Sequence, residues 1–254
     1  MPLFFRNSPK LTPLQVLLQT GTQNGSLAVL QNVTIQAPSG IARFAKQPVQ
    51  LHPLRTAILP FNKYFGPMKY THISQKPYCC VPACVQMILR RRKMPIFGQT
   101  DIAYDLGVVL PPKDRYLLPK SHRGLKPKSG WGTRIDLKKY SLTAFFKRHG
   151  FPLHEKYFSA KRFLSTKQFK KFLLENIGKG NDLLVCFNSP LLYHREGSWG
   201  HASLIEEVEE ESVTLRDPKP QYKLARRVLL NDLLAALKNH YHGGIWVVSD
   251  LKYI

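Results

Sequence analysis

Between positions 81 and 89 the chain reads Val-Pro-Ala-Cys-Val-Gln-Met-Ile-Leu, a stretch with one polar side chain. A helix through it, from the cysteines at 79 and 80 to about Arg92, is apolar almost all round and is therefore expected to be buried. Pro82 suits a first helical turn, where an N–H has no intrahelical partner to lose, and Pro95 marks the end. Arg90, Arg91, Arg92 and Lys93 then fall at the carbonyl end of the helix dipole, which reads as a terminus before it reads as a nucleic-acid patch.

Beyond this helix the pattern predicts a short one over 101–106, capped by Thr100 and stopped by Gly107, then a loop rich in Pro, Gly and Lys over 111–132. Such a loop either flanks a cleft or stays mobile. A third helix is expected over 137–149, stopped by Gly150. A fourth follows Ser165 as its cap, with Phe169, Phe172, Leu173 and Ile177 on its apolar face and Gly178 at its end. The period then changes. Residues 183–187 are a continuous apolar run, 201–208 and 212–215 read as extended, and Glu209, Glu210 and Glu211 form the turn between the last two. Asn231 is expected to cap a helix through Leu237, and 245–248 supply a closing strand. Helices followed by an antiparallel sheet make the fold class α+β.

Residues 1–66 differ, with Pro2, Pro9, Pro13, Pro38, Pro48, Pro53 and Pro60 breaking short apolar stretches. They read as a basic, Pro-rich extension of short strands and loops, with the main domain over 67–254. The 254 residues suit one domain with an extension. Charge is lopsided. No acidic residue precedes Asp101, so residues 1–100 carry 12 Lys and Arg unopposed, and the net charge is +22. That surface attracts phosphate-rich polymers or anionic membranes weakly and without selection, and no nucleic-acid motif accompanies it. No apolar run nears the ~20 residues of a membrane span, and the first residues lack the core of a secretory signal. Three of the four cysteines lie within 79–84, too close for loop-closing disulfides, so a reducing compartment such as the cytoplasm is expected. Import into an organelle or non-classical export are the alternatives.

The candidate chemistry gathers at the mouth of the first helix. Cys80, at the positive end of the dipole, is placed to ionise. Gln75, five residues upstream, can return its amide to a developing oxyanion. His201 opens one strand and Asp217 follows its partner 16 residues on, so a hairpin brings imidazole and carboxylate together. Thiolate, base, orienting group and oxyanion donor are the parts of a cysteine hydrolase. Cys79 competes for the nucleophile role. A metal site from Cys79, Cys80, Cys84 and a histidine is disfavoured because adjacent ligands strain a tetrahedral centre. No cofactor is expected.

The segment Gln75-x4-Cys80-x-Pro82-Ala83-Cys84, with Met87, Ile88 and Leu89 after it and Gly200-His201 and Asp217-Pro218 downstream, resembles the papain-like cysteine peptidases of the bacteriocin-processing (double-glycine) family and its stand-alone bacterial relatives. The resemblance spans about residues 70–249. Gly132-Thr133, Gly150, Phe187-Asn188 and Gly197 agree with the stand-alone members. It implies a papain-like fold, a peptide or protein substrate, Cys80 as nucleophile, His201 as general base and acid, Asp217 as orienting group and Gln75 as oxyanion donor. The Gly-His to Asp segment is also similar to that of the phytochelatin synthases, which are transpeptidases. Cys79-Cys80-Val81 stands where the family usually has Asp-Cys-Gly, so a branched residue replaces the tight glycine and a slow enzyme is one expectation. An acyl-transfer enzyme on the same fold and a non-catalytic basic binding module are the other readings, and oligomeric state is not legible.

Overall fold

The computed structural model describes residues 68–128 and 130–251. The Pro-rich extension expected over 1–66 lies outside the described residues. The first helix, α1 (Cys80–Arg91), forms where the apolar run predicts it, and every residue from Val81 to Leu89 is buried. It is followed by α2 (Gln99–Asp105), α3 (Leu142–Arg148), β1 (Leu153–Ser159), α4 (Thr166–Gly178), β2 (Asp182–Asn188), α5 (Ser189–Leu192), β3 (Gly200–Val208), β4 (Ser212–Arg216), β5 (Arg226–Leu229), α6 (Leu230–Lys238) and β6 (Gly244–Asp250). The six strands make one antiparallel sheet in the order β1-β6-β2-β3-β4-β5, so the class is α+β.

Strand β2 is buried along its whole length, which is why it reads as an unbroken apolar run. Its neighbour β3 pairs Phe187 with His201 and Cys186 with Ala202. Helix α1 packs against β3, so the amino-terminal end of an apolar helix is set beside the strand that begins at Gly200. The core is continuous from α1 through Phe145, Phe146 and Phe169 to the central strands.

At its carbonyl end, α1 is tied to the sheet by charge. Asp182, fully buried at the start of β2, accepts from Arg91 Nε at 2.6 Å, Arg92 Nε at 2.5 Å and the Tyr70 hydroxyl at 2.8 Å. The arginine run is thus a structural terminus, as read from the sequence.

Several boundaries differ from expectation. Helix α2 starts at Gln99 with Gly98 before it and no side-chain cap, so Thr100 lies inside the helix. The expected helix over 137–149 is split: a 3₁₀ turn at Lys138–Tyr140 precedes Ser141, whose extended backbone and hydroxyl, accepting from Ala144 N, start α3. Serine competes with the helix for its own backbone and so favours the cap over the interior. Asn231 does not cap α6, which follows Leu229; its side chain accepts from the Thr166 hydroxyl instead. The loop over 111–132 holds a 3₁₀ turn at Pro112–Leu117 and is bound back by bridges from Val109 to His122 and Gly132. Strands β1 and β5 were not expected. Both lie at sheet edges, where half the side chains face water and polar residues blur the pattern. Among the described residues no helix is long and apolar enough to cross a membrane.

Candidate active site

Cys80 occupies the first position of α1, two residues after Tyr78 turns the chain in the left-handed region at φ 60°. A tyrosine in that conformation is strained, and its hydroxyl is held by Asp114 at 2.6 Å. The Cys80 thiol is half-buried and lies on the same cleft as His201, whose imidazole acts on it. His201, at 5% exposure, donates from Nε2 to Asp217 Oδ1 at 2.7 Å. An ionised carboxylate only accepts, which places the proton on Nε2 and leaves Nδ1 for the sulfur.

Asp217 is fully buried and accepts hydrogen bonds on both carboxylate oxygens. Besides His201 it accepts from Lys219 N at 2.9 Å and from the Tyr193 hydroxyl at 2.9 Å. The Tyr193 ring is covered in turn by the Arg226 guanidinium, 4.3 Å from its centre.

Electrostatics follow from this chain. Burial pushes the Cys80 thiol up, but the hydrogen bond to His201, its charge, and backbone hydrogen bonds with Ala202 and Val81 outweigh that and hold the thiol below its ordinary value. Burial pulls the His201 imidazole down, and Asp217 and Cys80 together raise it above the ordinary histidine value. Both directions favour a thiolate beside an imidazolium. The other cysteines go the opposite way. Burial pushes Cys79 up to about 12, and Cys84 and Cys186 are raised well above an ordinary thiol. Cys79 is sequestered in a small apolar cluster with Ala103, Val108, Leu110 and Leu118.

Asp217 gives a pH prediction. Burial raises its carboxyl, yet His201, Lys219 N and Tyr193 bring it below the ordinary carboxylate value. A lowered folded value means stability that is complete above the unfolded value of about 3.9 and lost as pH falls through the folded one. Thermal midpoints followed downward from pH 5 should fall less steeply in Asp217→Asn than in the native chain. Equal slopes would contradict the assigned ionisation.

Gln75 stands differently. Its backbone N–H donates to Pro218 O at 2.8 Å, beside Asp217, and its amide makes no hydrogen bond to Cys80 among the described residues. The buried side chain of Gln99 clamps the chain on both sides of it, accepting from Lys76 N at 2.7 Å and donating to Ser74 O at 2.8 Å. The structure therefore brings Cys80, His201 and Asp217 together, and brings Gln75 to them through its main chain.

A narrow cleft of about 70 Å³ opens at the sulfur, lined by Cys80, Val81, Trp131, Cys186, His201 and Trp246, with His240 on its wall. The glycine-containing end of the long loop, through Gly130 and Gly132, closes one side, so this loop flanks a cleft. Three contributors escaped the sequence reading. Tyr193 follows α5, which Asn188-Ser189-Pro190 announces as a cap followed by a first-turn proline. Gln99 and His240 carry no local signal, because their partners are distant in sequence.

No family model and no curated protein matches the sequence. Among solved structures, the chain is similar to one from Bacillus anthracis described as a "putative C39-like peptidase", at 14% identity and a TM-score of 0.46, over 72% of this chain and 96% of that one.

Proposed function

We propose that the chain is a cysteine peptidase, with Cys80 as nucleophile, His201 as general acid and base, Asp217 as orienting group and Gln75 as a donor to the oxyanion. The observation that carries this reading is that Cys80, at the start of α1, shares one cleft with His201, whose Nε2 is held by the buried Asp217 carboxylate at 2.7 Å. The Cys80 thiolate attacks a peptide carbonyl carbon and the C–O π pair moves onto oxygen, where the Gln75 amide and backbone N–H groups at the start of α1 would donate. As the oxyanion collapses the C–N bond breaks, and the proton on His201 Nδ1 passes to the departing amine. Water then attacks the thioester carbon and gives its proton to Nδ1, and the carboxylic acid leaves as the thiolate re-forms. Tyr193 and Arg226 hold Asp217, and through it the imidazole, in register. A peptide or protein is the substrate class, and four free cysteines support a reducing compartment.

Iodoacetamide alkylation across pH tests the proposal. One equivalent should react with a midpoint below the ~8.5 of a free thiol, mapping to Cys80 and vanishing in Cys80→Ala but not in Cys79→Ala. Four thiols reacting alike would refute it.

A further inference from the structure

His240 is a half-buried polar group that the triad does not use. It follows α6, lines the cleft that opens at Cys80, and its Nδ1 is buried with no hydrogen-bond partner among the described residues. Its Nε2 lies directly over Gly200, the residue before His201: a Cβ at position 200 would overlap that nitrogen. Burial first, and then the neighbouring His242, hold the imidazole below the ordinary histidine value, so the ring is neutral at neutral pH.

A neutral imidazole has one donor nitrogen and one acceptor nitrogen. A proton on Nδ1 would be a buried N–H with no acceptor, the rarer and costlier kind of orphan, so Nε2 carries it. That N–H sits at the start of β3, one residue from the base, with no hydrogen-bond partner among the described residues. His242 is not equivalent, since its Nε2 is already 3.2 Å from the Asp136 carboxylate.

We infer that His240 is a substrate-binding residue whose Nε2–H donates to a carbonyl oxygen of the acyl-side main chain of a bound peptide, and that Gly200 lacks a side chain because this ring needs the space. The inference rests on the peptidase reading and deepens it. From Cys80 and His201 the cleft extends to Cys186 on β2 and Trp246 on β6, whereas Asp217 follows β4, on the other side of β3 in the sheet. A peptide whose acyl part runs along that extension passes His240.

The test is inactivation of the full chain by acetyl-Ala-Ala-Ala chloromethyl ketone, which places acyl-side carbonyls in the cleft and alkylates the nucleophile. Replacing His240 by Phe keeps a flat ring but removes the donor. The inhibitor constant KI should rise about tenfold, the worth of one hydrogen bond, with the limiting alkylation rate within about twofold of native. His240→Gln, which can return an amide N–H to the same place, should recover most of the lost affinity. Gly200→Ala should weaken binding like His240→Phe, because the added methyl displaces the free end of a side chain rather than backbone. Adding Gly200→Ala to His240→Phe should then cost nothing more. An unchanged KI, additive effects of the two changes, or a limiting rate that falls with affinity would each overturn the assignment. If iodoacetamide fails to single out Cys80 in the native chain, the peptidase reading itself fails, and that outcome is separate from any effect at His240.

Discussion

On the proposed peptidase function, peptide turnover by His201→Ala should fall by about 10²–10⁴-fold, and the alkylation midpoint of Cys80 should move upward past that of a free thiol. Two losses combine. The imidazole no longer protonates the leaving amine, and the forces lowering the Cys80 thiol are mostly its own, the hydrogen bond and the charge of His201. Burial, which raises the thiol, stays behind; the backbone hydrogen bonds with Ala202 and Val81 oppose it only in part. Cys80 should then react with iodoacetamide at neutral pH as slowly as the buried Cys84 and Cys186. Alkylation kinetics against pH would check this without a known substrate. A variant whose midpoint stays at the native value would show that the helix terminus alone ionises the sulfur.

Asp182→Ala should destabilise the fold by about 3–5 kcal/mol, read as a shift in the urea midpoint at constant m-value. The carboxylate is fully buried and is the shared acceptor of Arg91, Arg92 and Tyr70. Its removal leaves two guanidinium groups and a buried hydroxyl without that partner. The Arg91 side chain is 24% exposed and reaches water, and Arg92 keeps Asp250 at 2.8 Å, so the lower end of the range is expected. The loss should also reach the site. Asp182 begins β2, which pairs with the His201 strand, and the arginines end the helix that Cys80 begins. A cost under about 1 kcal/mol would mean that the apolar contacts of α1 fix it unaided. Asp182→Asn should cost less, because an amide oxygen still accepts from Tyr70 and one arginine.

Much of this molecule is legible along the chain, and what was missed has physical causes. The buried helix and central strands announce themselves because an element buried on all sides permits few polar residues, as 81–89 and 183–187 show. Edge strands β1 and β5 do not, since water on one face admits Lys156, Arg226 and Arg227 into extended backbone. Helix starts differ from expectation where a residue able to cap lies inside the expected helix or bonds a distant partner. Ser141 took α3 from the middle of an expected helix, and Asn231 turned its side chain to Thr166.

The candidate nucleophile, base and orienting group were all nameable in advance. Local pattern, the Gln75 spacing and the Pro82-Ala83-Cys84 run, favours Cys80 over Cys79, and the structure adds a physical reason. The two are adjacent at the same helix mouth, and what separates them is that Cys79 points into the Ala103, Leu110 and Leu118 cluster while Cys80 meets His201.

The sequence by itself determined where backbone must be helical or extended, that a cysteine would sit at the positive end of a buried helix, and that a hairpin of 16 residues would return a carboxylate to its histidine. Those are consequences of periodicity and chain reach, which act between near neighbours. The tertiary structure alone decided that Cys79 is sealed in an apolar cluster, that Tyr193 and Arg226 stand behind Asp217, that Gln99 fixes the chain around Gln75, and that His240 shares the cleft. Each of these depends on burial and on distances between residues brought together only by packing, and desolvation and hydrogen bonding act through space rather than along the chain.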